Sequence, residues 1–436
     1  MNPRLSGIIL LLSVLIPCVT TAQWSTANLS SGRYLLAAGA TGNTAIIAGG
    51  IGQISIPPGV SDIYNATANT WTGNTLSVGR TWLSGAGAGD KIAFAGGAND
   101  WIFAIYDQVD IYNTTTTLWS IYNLSAPRYK LAAAGTNNRI IFAGGVDDGQ
   151  GIVSNKAEIF NTLTSSWFVS TISVARFNLC GAATDSIAIF AGGEDLLGNV
   201  KNTVDILNTN TYTWTTATLS QARKNSGACS AGGKIFIAGG IDSLGQASKR
   251  VDIYDLSTGT WSIDSLSQAR TFLSAAGVGT KAIFAGGSDA NTSVSSKRVD
   301  IYDAVSGTWT IDSLATARTF AAATSVNNKF IIGGGTTLPF NILTSIEMYT
   351  VSSVGLEENN TTTDEITVYP NPAQDLISFE INSNENNNSI EIYNSLGQIQ
   401  WSQVAKQGMN TVSIVSWPRG IYILRNGNRQ QRFVKN

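Results

Sequence analysis

The sequence predicts an all-β protein: a seven-bladed β-propeller followed by a small C-terminal β-sandwich. Three observations predict it. Seven Gly-Gly pairs, from Gly49-Gly50 to Gly334-Gly335, recur at intervals of 47 or 48 residues, a period that belongs to solenoids and propellers. The run before each pair is apolar throughout, as in Ile46-Ile47-Ala48 and Ile283-Phe284-Ala285, which marks a strand covered on both faces. Only 13% of the 436 residues are charged, against about 25% in an ordinary soluble domain, and Gly, Ser, Thr and Asn fill the turns instead.

In chain order, the first 22 residues read as a secretory signal. Arg4 supplies the positive start, Ile8 to Ile16 the apolar stretch, and Thr20-Thr21-Ala22 a small-residue cleavage site before Gln23. The apolar stretch is too short to span a bilayer, and no other stretch offers a stable membrane span. Residues 23–353 carry the repeat. Each unit holds an Arg followed by small and apolar residues, the apolar run ending in the Gly pair, an acid-Ile-aromatic strand such as Asp252-Ile253-Tyr254, and a Trp strand such as Thr260-Trp261. Four short strands separated by polar turns describe one antiparallel sheet. Sheets stacked face to face around an axis make a propeller, whose radial repetition protects its edges. The recurring Trp is a wedge between blades.

The ends of the repeat predict how the ring closes. Trp24 has no acid-Ile-aromatic strand before it, and Glu347-Met348-Tyr349 has no Trp after it. Joining them completes a unit, so the Trp24 strand is expected to be the outer strand of the last blade. The Gly pair, the acid-x-aromatic strand and the spaced Trp together resemble the kelch repeat family of β-propellers. The likeness extends over residues 24 to 351, with Phe160 and Leu207 standing where the other units have Tyr.

Residues 354–365 are polar and linker-like, and strands resume over residues 366–436. Tyr369-Pro370-Asn371-Pro372 with Asp375, a second motif ending at Gly397, then Gly420-Ile-Tyr422 and a closing Lys435 resemble the C-terminal sorting domain of type IX secretion substrates. That resemblance implies periplasmic entry by the signal peptide, passage across the outer membrane, a secreted or outer-surface address, and the secretion machinery as a partner.

Two candidate ligand sites follow. Arg33, Arg80, Arg128, Arg176, Arg223, Arg270 and Arg318 each open the innermost strand. Seven guanidinium groups around one channel mouth could grip anions bidentately. Seven acids (Asp62, Asp110, Glu158, Asp205, Asp252, Asp300, Glu347) recur in phase with them, so structural pairing within or between blades is the competing arrangement. The second site is the aromatic loop of the second blade, with Trp101, Phe103 and Tyr106, where exposed rings would hold a sugar or a protein or else pack over a neighbour.

Several chemistries are excluded or unsupported. The chain has no histidine, so a Ser-His-Asp triad, a Cys-His pair and any His-ligated metal are ruled out. Asp147, Asp148, Glu194, Asp195, Asp242 and Asp289 follow the Gly pairs, but they lack a calcium-loop spacing and read as turn residues. No metal and no cofactor is expected. A net charge of -2 with no basic stripe gives no footprint for a nucleic acid. Cys180 and Cys229 are small buried residues or a bridge between adjacent blades. The functional expectation is a surface or secreted module that binds a glycan or a protein. The alternative is a mutarotase- or sialidase-like enzyme acting on an anionic sugar at an Arg-lined mouth, for which no single carboxylate stands out as acid or base.

Overall fold

The short apolar runs fold as strands between polar turns, and the described residues contain no helix. A computed structural model describes residues 23–53, 57–99, 101–147, 149–290, 294–338, 340–351, 366–381, 389–394, 398–404, 406–426 and 429–436. The signal at 1–22 and the linker at 354–365 lie outside the described residues, as do Asp148 and Gly397. The chain divides into two compact units, Met1–Ser353 and Val354–Asn436.

The first unit holds seven four-stranded antiparallel sheets among its described residues. In the first, Ala37–Thr41 is innermost, followed outward by Thr44–Ala48, Val60–Asn65 and Thr70–Thr75. Each innermost strand touches those of two neighbouring sheets, and Ala37–Thr41 touches Ala322–Val326, so the sheets close a ring. The seventh sheet takes its outer strand from the other end of the propeller. Gln23–Asn28 pairs antiparallel with Ser345–Thr350, with Trp24 opposite Tyr349.

The second strand of each sheet explains its own composition. Ile46, Ile47 and Ala48 are fully buried, as are their equivalents in the other sheets, because each sheet has a neighbour on both faces. Seven apolar clusters fill the seven seams, and each takes in one tryptophan of the outer strands. Trp119 packs between sheets one and two, and Trp24 between six and seven. Three of these indoles also donate across a seam: Trp24 Nε1 to Asp312 at 2.9 Å, Trp309 Nε1 to Asp264 at 2.9 Å and Trp214 Nε1 to Ser170 at 2.9 Å.

The Gly pair is a joint between sheets. Gly49 and Gly50 have φ of 68° and 87°, the region that a Cβ penalises. The N–H of Gly50 donates to the Arg80 carbonyl of the next sheet at 3.0 Å. A Cβ on Gly49 would lie 2.8 Å from that same oxygen. Only glycine lets the two backbones come this close.

The second unit is two sheets over one core. Val368–Tyr369, Leu376–Ile381 and Gly408–Ser413 form one, and Ile399–Val404, Ser389–Asn394, Gly420–Asn426 and Arg429–Lys435 form the other. Ile377, Phe379, Ile392, Leu424 and Phe433 are buried between them.

Cys180 and Cys229 are free and buried. They lie on adjacent innermost strands but two positions apart in height, Cys180 opposite Ala191 and Cys229 opposite Phe236. That offset of about 7 Å along the strands separates the thiols. Burial pushes Cys180 up to about 11 and Cys229 higher still. At pH 8 both stay protonated, so neither is expected to react with a disulfide reagent until denaturant is added; labelling of the native protein would contradict this burial. Removing residues 23 to 28 is expected to lower the melting temperature by about 10 °C or more, since a partly buried Trp wedge and a six-residue pairing are lost; scanning calorimetry measures it.

Candidate functional site

The seven repeat arginines do not face the channel mouth. Each is 0–1% exposed, and each pairs with the acid of its own sheet. The N···O distances are 2.6 Å for Arg80–Asp110, 3.0 Å for Arg128–Glu158, 2.6 Å for Arg176–Asp205, 2.5 Å for Arg223–Asp252 and 2.6 Å for Arg318–Glu347. Arg33 pairs with Asp62 and Arg270 with Asp300 in the same way. The guanidinium groups also donate to buried carbonyls, as Arg318 Nη1 does to Gly334 at 3.0 Å and Ser345 at 2.8 Å. Each carboxylate also accepts the N–H of the segment entering from the previous sheet, at Ser30, Ser77, Ser125, Ser173, Ser220, Ser267 and Ala315.

This corrects the expectation of an anion-gripping ring. A guanidinium presents five donors in a fixed fork, and here the nitrogens that find partners find them within the seam. Burial lowers the affinity of Arg33, Arg80, Arg128, Arg223 and Arg318 for a proton, opposed by the paired acid, and brings Arg270 down to about 10. Arg270 thus remains charged at neutral pH.

The mouth belongs to the residue two positions past each arginine: Leu35, Trp82, Lys130, Asn178, Asn225, Phe272 and Phe320. All seven are left-handed, with φ between 50° and 58°. Their backbones link hand to hand around the axis. Leu35 N–H donates to Phe320 O at 3.0 Å, Trp82 to Leu35 at 3.3 Å, Lys130 to Trp82 at 3.1 Å, Asn178 to Lys130 at 3.0 Å, Asn225 to Asn178 at 3.0 Å and Phe272 to Asn225 at 3.2 Å. The strained φ turns each side chain into the opening.

These side chains line a hollow of about 220 Å³, with Leu36, Leu83, Leu131, Leu179 and Leu273 beneath them. A second cavity of about 290 Å³, walled by Ala and Gly of the innermost strands, shares no lining residue with it. The mouth has two unlike arcs. Phe272 and Phe320 lie 4.3 Å apart between ring centres, and Trp82 meets Phe320 edge-on at 6.1 Å. Opposite stand Lys130, Asn178 and Asn225. Lys130 Nζ sits 5.1 Å from the Trp82 ring, 4.9 Å from Tyr129 and 5.8 Å from Phe177. Asn178 Nδ2 donates to Glu194 at 2.8 Å, and Lys224 Nζ bonds the other oxygen of Glu194 at 2.6 Å. A groove of about 600 Å³ leads outward over sheets four to seven and shares Phe272 and Phe320 with the mouth.

Sequence reasoning misses these seven positions because it follows what repeats. The available signal is the opposite one. Two residues past an invariant Arg, the units carry Leu, Trp, Lys, Asn, Asn, Phe and Phe, a position the fold leaves free.

The aromatic loop of the second sheet divides. Trp101 is 62% exposed and Phe103 95% exposed at its tip, so the loop does not pack over a neighbour. Tyr106 is half-buried, and its N–H donates to Gly97 O at 2.9 Å while its carbonyl accepts from Arg128 at 3.2 Å, placing its backbone in the seam. Two of the acids after the Gly pairs are turn residues: Asp195 accepts the N–H groups of Leu197 and Asn199, and Asp242 those of Leu244 and Gln246; Glu194 instead holds Asn178 and Lys224. Among the described residues no group of three or more acids and cysteines could hold a metal ion.

In the C-terminal unit the motif residues join its first and last strands. Asn371 Oδ1 accepts Val434 N–H at 3.0 Å and its Nδ2 donates to Arg432 O at 3.2 Å. Lys435 Nζ donates to the Gln374 carbonyl. Pro370 and Pro372 both follow cis peptide bonds. Asp375 O accepts Ile414 N–H at 2.8 Å. Tyr422 is buried, with its hydroxyl on Pro418 O at 2.7 Å. Tyr369 is 44% exposed, and Gly420 has open space around it.

Family models match the chain in both units: a Kelch motif over residues 222–263 and a secretion system C-terminal sorting domain over residues 367–436. A solved structure titled "Structure of YjhT" matches the fold with a TM-score of 0.52 at 13% identity, covering 75% of this chain and 97% of that one. No curated protein matches the chain in sequence. The fold is a β-propeller, and one of its repeats matches the Kelch motif. The chain carries with it a secretion-system sorting domain, which indicates a type IX secreted protein of the cell surface or the medium.

Arg176→Ala is expected to lower the unfolding free energy by about 3–5 kcal/mol, because it strands Asp205 as an unpaired buried charge. The joint variant Arg176→Leu with Asp205→Leu is expected to recover part of that loss. Denaturant midpoints measure both.

Proposed function

We propose that the propeller is an extracellular binding module that holds one unit of a glycan in the channel mouth. The observation that carries this reading is the pairing of an aromatic arc with a polar arc across one hollow. A pyranose ring has an apolar C–H face and an edge of hydroxyls. Trp82, Phe272 and Phe320 offer the flat apolar surface. Asn178 and Asn225 each offer an amide that donates and accepts, and Lys130 offers an ammonium that only donates. The hollow of about 220 Å³ is below the roughly 300–1,000 Å³ of sites for drug-sized ligands. One ring in the mouth and the rest of the chain in the adjoining groove fit these dimensions.

The test is an array of neutral and acidic glycans probed with the purified protein. Binding is expected, with affinity falling about ten-fold or more in Trp82→Ala and Phe320→Ala, a loss of about 1.4 kcal/mol or more. Silence across the array, or full binding by both variants, would remove the mouth from the reading.

A further inference from the structure

The face that carries the mouth also carries the loops joining the second and third strands of each sheet. In six sheets an exposed apolar side chain stands on that loop: Phe103, Ile152, Leu197, Leu244, Val294 and Phe340, with exposures from 56% to 95%. Their display is built into the loops. Asp195 Oδ1 accepts the N–H of Leu197 at 3.0 Å, Asp242 Oδ1 that of Leu244 at 2.9 Å, and Asn99 Oδ1 that of Trp101 at 3.1 Å. A buried role would not leave leucines 87% and 81% exposed at two such tips.

A second pattern lies over the first. In sheets three to six a cation follows the apolar tip within six residues: Lys156, Lys201, Lys249-Arg250 and Lys297-Arg298. The last four side chains are exposed and enter none of the described ion pairs. Nearby Asp264 and Asp312 accept the indole N–H groups of Trp309 and Trp24. On the opposite face Lys91, Lys234 and Lys281 are paired with Asp90, Asp255 and Asp303; on the mouth face Lys201 and Lys224 are paired with Asp195 and Glu194, while the four cations above are in none of these pairs.

We infer that this face docks on an anionic lipid surface, its tips entering the interface and the cations behind them meeting the headgroups. The tips belong to separate sheets and are divided by polar loop residues. A protein interface needs a contiguous, tightly packed centre. A lipid interface takes each apolar side chain independently and adds the attraction of basic residues to anionic headgroups. The order apolar tip, then cation, repeated around an arc, fits the second case.

The test is sedimentation of the purified protein with extruded vesicles. Association is expected with phosphatidylcholine and phosphatidylglycerol mixed about 7:3, weak association with phosphatidylcholine alone, and loss in high salt. Leu197→Asp with Leu244→Asp is expected to cut association about ten-fold or more, as is reversal of Lys249, Arg250, Lys297 and Arg298 to Glu. These positions are exposed, and an unchanged melting temperature confirms an intact fold. No association with the mixed vesicles overturns the inference. So does association retained by either variant, since the sorting domain would then be the source. The vesicles carry no sugar, so this outcome is independent of the glycan test.

Discussion

A buried arginine–carboxylate clamp holds every seam of this propeller, and the other repeated features are arranged around it. The arginine carbonyl accepts the N–H of the second glycine in the preceding sheet's pair. Its guanidinium reaches back to the acid on the third strand of its own sheet and to carbonyls beside it. The acid in turn grips the N–H of the segment arriving from the sheet before. One residue thus satisfies backbone groups that a crossing between sheets would otherwise leave buried and unpaired. The arrangement explains why the glycines, the acids and the arginines recur in phase: each is the partner of another.

Such a clamp is not a source of large net stability. Taking two charges out of water costs several kcal/mol per ion, and the attraction between them in the interior returns that cost only when the remaining hydrogen bonds are made. Here most are made, and the gain is register. A sheet that slipped by one residue against its neighbour would lose the acid, the serine N–H and the glycine joint together. Apolar contact alone is tolerant of such slips, because Ile, Ala and Phe pack acceptably in several positions. The clamp makes the seam specific where the wedge of tryptophan and the apolar clusters make it stable.

This division accounts for what the sequence reveals. Strand positions, covered faces and the tryptophan wedges are legible because each rests on periodicity, and periodicity is visible in one chain. The phase of Arg33 with Asp62, or Arg176 with Asp205, is equally visible. What it means is not, since an in-phase acid is compatible with pairing and with an open ring of guanidinium groups. Burial decides the matter, and burial depends on how neighbouring sheets overlap. Lys130, Asn178 and Phe320 are illegible for a related reason. They are single departures at a position whose left-handed backbone and inward aim come from the closed ring. Phe103 and Leu197 are partly legible: the aromatic loop stands out, while a leucine two residues past an aspartate does not.

The same logic explains why the mouth and the apolar tips share one face. On the opposite face the first and second strands join through two residues, as at Gly42-Asn43 and Gly232-Gly233, and the third and fourth through tight turns capped by Asn or Asp. Those connections admit few side chains and little change of length. On the mouth face the chain must travel between sheets and between the second and third strands. These longer segments are anchored at one end by the glycine pair and at the other by the third strand, so their middle residues bear no load in the seam. Substitution there leaves the clamp intact. A repeat protein is freest to vary its side chains where its repeat constrains it least, and in this propeller those places are the residue two past each arginine and the tip of each loop beside it.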